Sequence, residues 1–175
     1  MTNELEQAKQ PVSAVLAGPY GHPFHPILVT VPIGAWVSSL VFDIGSLIVD
    51  DPGFLARGSV WLIAIGVVGA LAAALIGTLD LLAIPKGTRA FRTGLTHMSL
   101  NLVVTAAYVV GFFWRRAASD GPGPVGIGPL VLSAAALVVL GASGYLGGKL
   151  AYHYGVRVAA ESTQAQGYTT RQHTA

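Results

Sequence analysis

Hydrophobic positions in this chain come in long runs, not in the short alternation of a half-buried strand. Between Arg57 and Asp80 stand 22 residues without a charge, and between Arg92 and Arg115 another 22, interrupted only by His97. Asp120 and Lys149 bracket 28 more, which open on the loop-like GPGPVGIGP, and residues 27–49 form a further run broken by Asp43 alone. About 20 apolar residues cross a bilayer core as a helix, so each run predicts a spanning helix: residues 26–49, 58–84, 95–114 and 125–154. The punctuation agrees. Pro26 suits a first helical turn, DDPG follows the first run, Pro85 stops the second, and GPGPVG separates the third from the fourth. The expected architecture is all-α, a four-helix transmembrane bundle over residues 21–157, with a polar N-terminal segment (1–20) and a polar tail (158–175).

Composition narrows the class. Apolar residues make up 53% of the 175 positions and charged ones 10%, against roughly 25% charged in ordinary soluble domains. The net charge of +2, with no basic run or patch, argues against nucleic acid as a partner and leaves membrane lipid. The opening MTNELEQAKQ carries charges where a cleaved signal would have an apolar core, so the N-terminus is expected to be retained. No cysteine is present, which excludes disulfides, thiolate nucleophiles, Cys-ligated clusters and covalent c-type haem attachment. No nucleophile elbow, phosphate-binding loop or HExxH occurs, so a stand-alone enzyme is not expected.

Charge gives the bundle a direction. The N-terminal segment, the loop at residues 85–94 and the C-terminal segment hold Lys9, Lys86, Arg89, Arg92, Lys149, Arg157 and Arg171, while the other side holds Arg57, Arg115 and Arg116. Seven against three predicts cytoplasmic termini. Aromatic residues then fall at both interfaces, Phe54, Trp61, Phe112, Phe113 and Trp114 outside, Tyr20, Phe24, Phe91, Tyr152 and Tyr154 inside. Lipid gives helices no hydrophobic drive to associate, so close backbone approach at small residues matters. Gly66, Ala70, Ala73 and Gly77 in the second span, and Gly141, Gly144 and Gly148 in the fourth, recur at helical steps and are expected to face the bundle interior.

Polar groups inside such a protein are the candidates for chemistry. His22 and His25 precede the first span in GHPFHP, His97 begins the third and His153 ends the fourth, all on the predicted cytoplasmic side. Asp80 lies roughly 6 Å from the same end of the second span. Asn101 is one turn from His97, and Pro32 leaves the carbonyl of Leu28 without its usual donor. Asp43 sits in the opposite leaflet, flanked at helical spacing by Ser39 and Ser46. An acid there is protonated, finds a partner, or lines a polar path. Three readings follow from the cluster. Neutral imidazoles on facing helices can hold haem b, with His97 opposite His25, His153 or His22. Alternatively, His22, His25, His97 and Asp80 match the ligand set of a divalent zinc or iron site. In the third reading the polar groups only fix packing, and the small-residue seams recruit a second copy or another membrane protein.

The segments GHPFHPILVTVPIGAWVSSLVFD, GTLDLLAIPKGTRAFRTGLTHMSLN and GYLGGKLAYHYG resemble the bacterial membrane family catalogued as domain of unknown function 2231, over residues 21–155. The resemblance implies four spans in the inner membrane and marks His22, His25, Asp43, Asp80, His97 and Asn101 as motif positions. Related chains are fused to Rieske or cytochrome domains, which implies redox company. With no cysteine and only a short tail, this chain is expected to find such a partner as a separate protein.

Overall fold

The computed structural model describes residues 2–10, 23–118 and 123–168. Among them are α1 (Thr2–Lys9), α2 (Phe24–Leu28), α3 (Thr30–Ser46), α4 (Gly53–Ala83), α5 (Arg89–Ala118), α6 (Ile127–Gly148) and α7 (Glu161–Ala165). A π-helical turn, Lys149–His153, prolongs α6, and a 3-10 turn, Gln166–Tyr168, prolongs α7. The described residues contain no strand.

Four helical stretches are long and apolar enough to cross a membrane: Phe24–Ser46, Gly53–Ala83, Arg89–Ala118 and Ile127–His153. All four expected spans are therefore present. The second and third are longer than predicted because their terminal charges, Arg57, Arg89, Arg92, Arg115 and Arg116, sit on the helices and not in the loops. A helix can run on past the hydrocarbon with its charged ends at the interface. The first span is broken at Val29 between α2 and α3, three residues before the proline that cannot donate there.

Short connections make neighbouring spans antiparallel. The turn from α4 to α5 uses Gly87 at φ 83°, and Thr88 Oγ1 accepts from the amide of Phe91 at 3.1 Å, capping the new helix. α3 packs on α4, α4 on α5 and α5 on α6, while α6 closes the ring onto α3. The centre is apolar: Trp36, Ile63, Val104, Tyr108 and Ala136 are all buried there. Trp36 Nε1 reaches the carbonyl of Ile63 at 3.4 Å, so its polar edge is not stranded. Outside, Trp61, Val68, Leu75 and Val138 are exposed, as lipid-facing side chains should be.

The small-residue seam of α4 behaves as expected. Gly66 receives the indole of Trp36, Gly69 the side chain of Val31, and Gly77 the ring of His25. The seam of α6 does not. Gly141 and Gly144 face open space, with nothing within 4 Å of a Cβ built on either, and Gly148 meets only Tyr152 at 4.0 Å. The glycine of α6 that matters inside is Gly147, which lies against His97. Periodicity located a stripe, but α6 presents its Ser133, Ala136 and Ser143 face to the bundle instead.

Candidate functional site

Two polar centres occupy opposite ends of the bundle interior, with the Trp36–Tyr108 layer between them. At the first, α2 delivers His25 to α4. Its Nδ1 lies 2.9 Å from the carbonyl oxygen of Ala73, and Gly77, one turn further on, leaves room for the ring. A carbonyl can only accept, so Nδ1 carries a proton, and whenever the ring is neutral its lone pair is on Nε2. His97 of α5 repeats the arrangement on α6. Its Nδ1 lies 2.8 Å from the carbonyl oxygen of Ser143 and 3.0 Å from the Ser143 hydroxyl, which itself donates to the carbonyl of His97 at 3.1 Å. The same tautomer follows.

Asn101 is drawn to His97 as the one-turn spacing predicts. Its Nδ2 donates to the His97 carbonyl at 2.9 Å and lies 3.2 Å from Nε2 and 3.5 Å from Nδ1 of the ring. A donor on the in-plane lone pair of Nε2 would stand about 5 Å from Nδ1. The near-equal distances therefore put the amide over the ring face, and the in-plane lone pair of Nε2 is not what it binds. The two imidazoles meet edge to face, centroids 6.3 Å apart and planes at 81°.

The remaining predicted positions are not all drawn in. Asp80 forms an ion pair with Arg157 at 3.0 Å, below the same end of the bundle. Arg157 sits at φ 58° and its amide donates to the carbonyl of Ala8 at 3.0 Å, which ties α1 to the segment after α6. His153 is exposed, with its ring 4.9 Å from that of Tyr154. His22 lies outside the described residues. Among the described residues no three His, Cys, Asp or Glu side chains are grouped to hold a metal ion.

The second centre surrounds Asp43, wholly buried in α3. Of the three fates open to such an acid, it finds a partner. Arg115 Nη2 donates to Asp43 Oδ2 at 2.6 Å, to the Ser133 hydroxyl at 2.9 Å and to the Pro129 carbonyl at 3.1 Å, while Nη1 donates to the Gly111 carbonyl at 3.2 Å. A buried carboxylate and a buried guanidinium thus neutralise each other. Ser46 donates to the carbonyl of Asp43 at 2.7 Å and accepts from the amide of Val125 at 3.1 Å, so the start of the fourth span is pinned to the first. From the sequence alone Arg115 counts only as a charge of the outer side. An arginine one turn beyond Gly111, which leaves the guanidinium a path inward, was the available signal.

Comparison with known proteins adds the family. The model of the family described as "Predicted membrane protein (DUF2231)" matches residues 21–160, a span that includes both polar centres. No curated protein and no solved structure matches the chain.

Proposed function

Since this chain belongs to the DUF2231 family of predicted membrane proteins, and two spans each present a histidine with a fixed tautomer, we propose that it is a redox component that holds haem b between His25 and His97. The observation that carries the reading is the pair of contacts from Nδ1 to the carbonyls of Ala73 and Ser143. Metal-ligating histidines characteristically give their other ring N–H to such an acceptor, which orients the ring and raises the basicity of the ligating nitrogen. The spacing fits as well. The ring centres of His25 and His97 stand 6.3 Å apart, close enough that both side chains would hold one metal-centred group if each turned its Nε2 towards it.

When bound, a haem of this type supplies reversible one-electron transfer. The protein's own residues do the rest. The Ala73 and Ser143 carbonyls fix the rings, Gly77 and Gly147 let them approach the helices, and the Asn101 amide covers one face of His97. The excess of Lys and Arg at this end of the spans supports a cytoplasmic-side site, with both termini cytoplasmic. The family resemblance supports the bacterial inner membrane and a separate Rieske or cytochrome protein as the electron partner.

The test is an absorption spectrum of the purified protein, oxidised and reduced. A Soret band lost in both His25→Ala and His97→Ala, and kept in His153→Ala, is the expected result. Absence of the band even after haem supplementation rejects the reading. The same two Nε2 atoms also suit a divalent metal, with His22 as a further ligand. Stoichiometric zinc or iron by elemental analysis, without a Soret band, selects that alternative.

A further inference from the structure

Two buried oxygens of the first and second spans have no partner among the described residues: Oδ1 of Asp43 and Oγ of Ser59. Both residues are 0% exposed. Ser59 differs from several other hydroxyls of the spans. Ser39, Ser46, Thr78, Thr96 and Thr105 each donate back to a carbonyl of their own helix, at 2.7 to 3.0 Å, the usual refuge of a hydroxyl in lipid. Ser59 makes no such bond, although its helix offers one.

The register of α3 on α4 sets Asp43 and Ser59 at similar depths. Leu55 packs on Gly45, Phe42 on Gly58 and Trp36 on Gly66, so the Asp43 and Ser59 positions lie within about one helical turn of each other along the bundle. Each of these oxygens needs hydrogen bonds that the other does not supply. A buried carboxylate oxygen and a buried hydroxyl left bare would each cost the full desolvation of a polar group.

We propose that Asp43 Oδ1 and Ser59 Oγ form a binding site for a single internal water molecule. Charge selects that occupant. Asp43 and Arg115 already balance each other, so a bare cation or anion would add an uncompensated charge in a low-dielectric interior, whereas water is neutral and both donates and accepts. The site also completes a mechanical pattern. The Arg115 guanidinium bonds to α3 through Asp43, to α5 through Gly111 and to α6 through Pro129 and Ser133. The water brings α4, through Ser59, into the same clamp.

Two measurements on the full chain decide this. Thermal unfolding in detergent is compared for the wild type and Ser59→Ala. A bridged hydroxyl is a working partner, so the substitution lowers the midpoint by about 2–4 °C. A merely stranded hydroxyl gives the opposite sign, because its removal relieves a desolvation penalty, so an unchanged or raised midpoint overturns the proposal. An experimental structure at a resolution that shows ordered solvent is the second. Density within hydrogen-bonding distance of both oxygens is expected, and a direct Ser59–Asp43 bond or an empty site overturns it.

Discussion

Trp36 and Tyr108 lie parallel in the middle of the bundle, ring centroids 4.2 Å apart and planes at 6°. The pair joins the first span to the third and separates the two polar centres with an apolar layer. Its stability comes from ring contact, since the phenol's own hydrogen bond, to the carbonyl of Ser133, is long at 3.4 Å. Tyr108→Phe should therefore cost no more than about 1 kcal/mol, whereas Tyr108→Ala, which deletes the ring, should cost about 3–5 kcal/mol. Unfolding in mixed micelles, followed by far-ultraviolet circular dichroism, checks the order. Similar losses for the two variants would show that the hydroxyl, and not the stack, holds the layer.

The Asp43–Arg115 pair makes a sharper demand. Removing one partner of a buried pair strands the other charge, at about 3–5 kcal/mol, while replacing both by apolar groups of similar volume is often neutral. Arg115→Met should thus destabilise severely, and Asp43→Leu combined with Arg115→Met should recover much of the loss. A double variant as unstable as the sum of the two single ones would mean that the pair does not act as a unit.

Much of this protein was legible because lipid imposes a simple rule on sequence. Long uncharged runs marked all four spans, but the break at Val29 inside the first is not visible in them, and Pro32, three residues on, is its only signal. The histidine end was legible in part. His25 and His97 do meet, and Asn101 does join His97, because helical spacing on one span and the first residues of another fix their depth. What sequence could not give was azimuth. Gly141 and Gly144 recur at helical steps as regularly as Gly66, Ala70, Ala73 and Gly77, yet α6 turns Ser143 and Gly147 inward. Nothing in one chain's pattern distinguishes a glycine facing a neighbour from one facing lipid when both surroundings are apolar. Arg115 was missed for a related reason: a charge at the end of a span reads as interfacial until the partner across the bundle is known.

The two ion pairs should respond differently to salt. The Arg157 and Asp80 side chains are 6% and 19% exposed, whereas those of Arg115 and Asp43 are 4% and 0% exposed. Screening acts on pairs that water reaches. Asp80→Asn is expected to cost about 1 kcal/mol at low ionic strength, after allowance for the exposed side of the carboxylate, and less at 1 M salt. Asp43→Asn should cost more, by an amount that salt does not change. Unfolding midpoints at low and high salt check this, and a salt-sensitive Asp43→Asn would place water in free exchange with the buried centre.

Glycine-to-alanine substitutions separate a glycine that seats a histidine from one that does not. A Cβ on Gly77 would stand 2.8 Å from Cε1 of His25, and one on Gly147 would stand 3.0 Å from Cε1 of His97. Both rings are held by their bonds to backbone carbonyls, so they cannot retreat without breaking them. Gly77→Ala and Gly147→Ala should each destabilise by about 1–3 kcal/mol, and each should weaken any Soret absorbance the protein carries. Gly144→Ala meets open space and gains helix propensity, worth up to about 1 kcal/mol, so it should leave both stability and spectrum intact. Apparent size in detergent should be recorded for the same three variants. Loss of a larger assembly in Gly144→Ala alone would show that the exposed glycines of α6 pack against a second copy of the chain, because no contact within one copy explains such an effect.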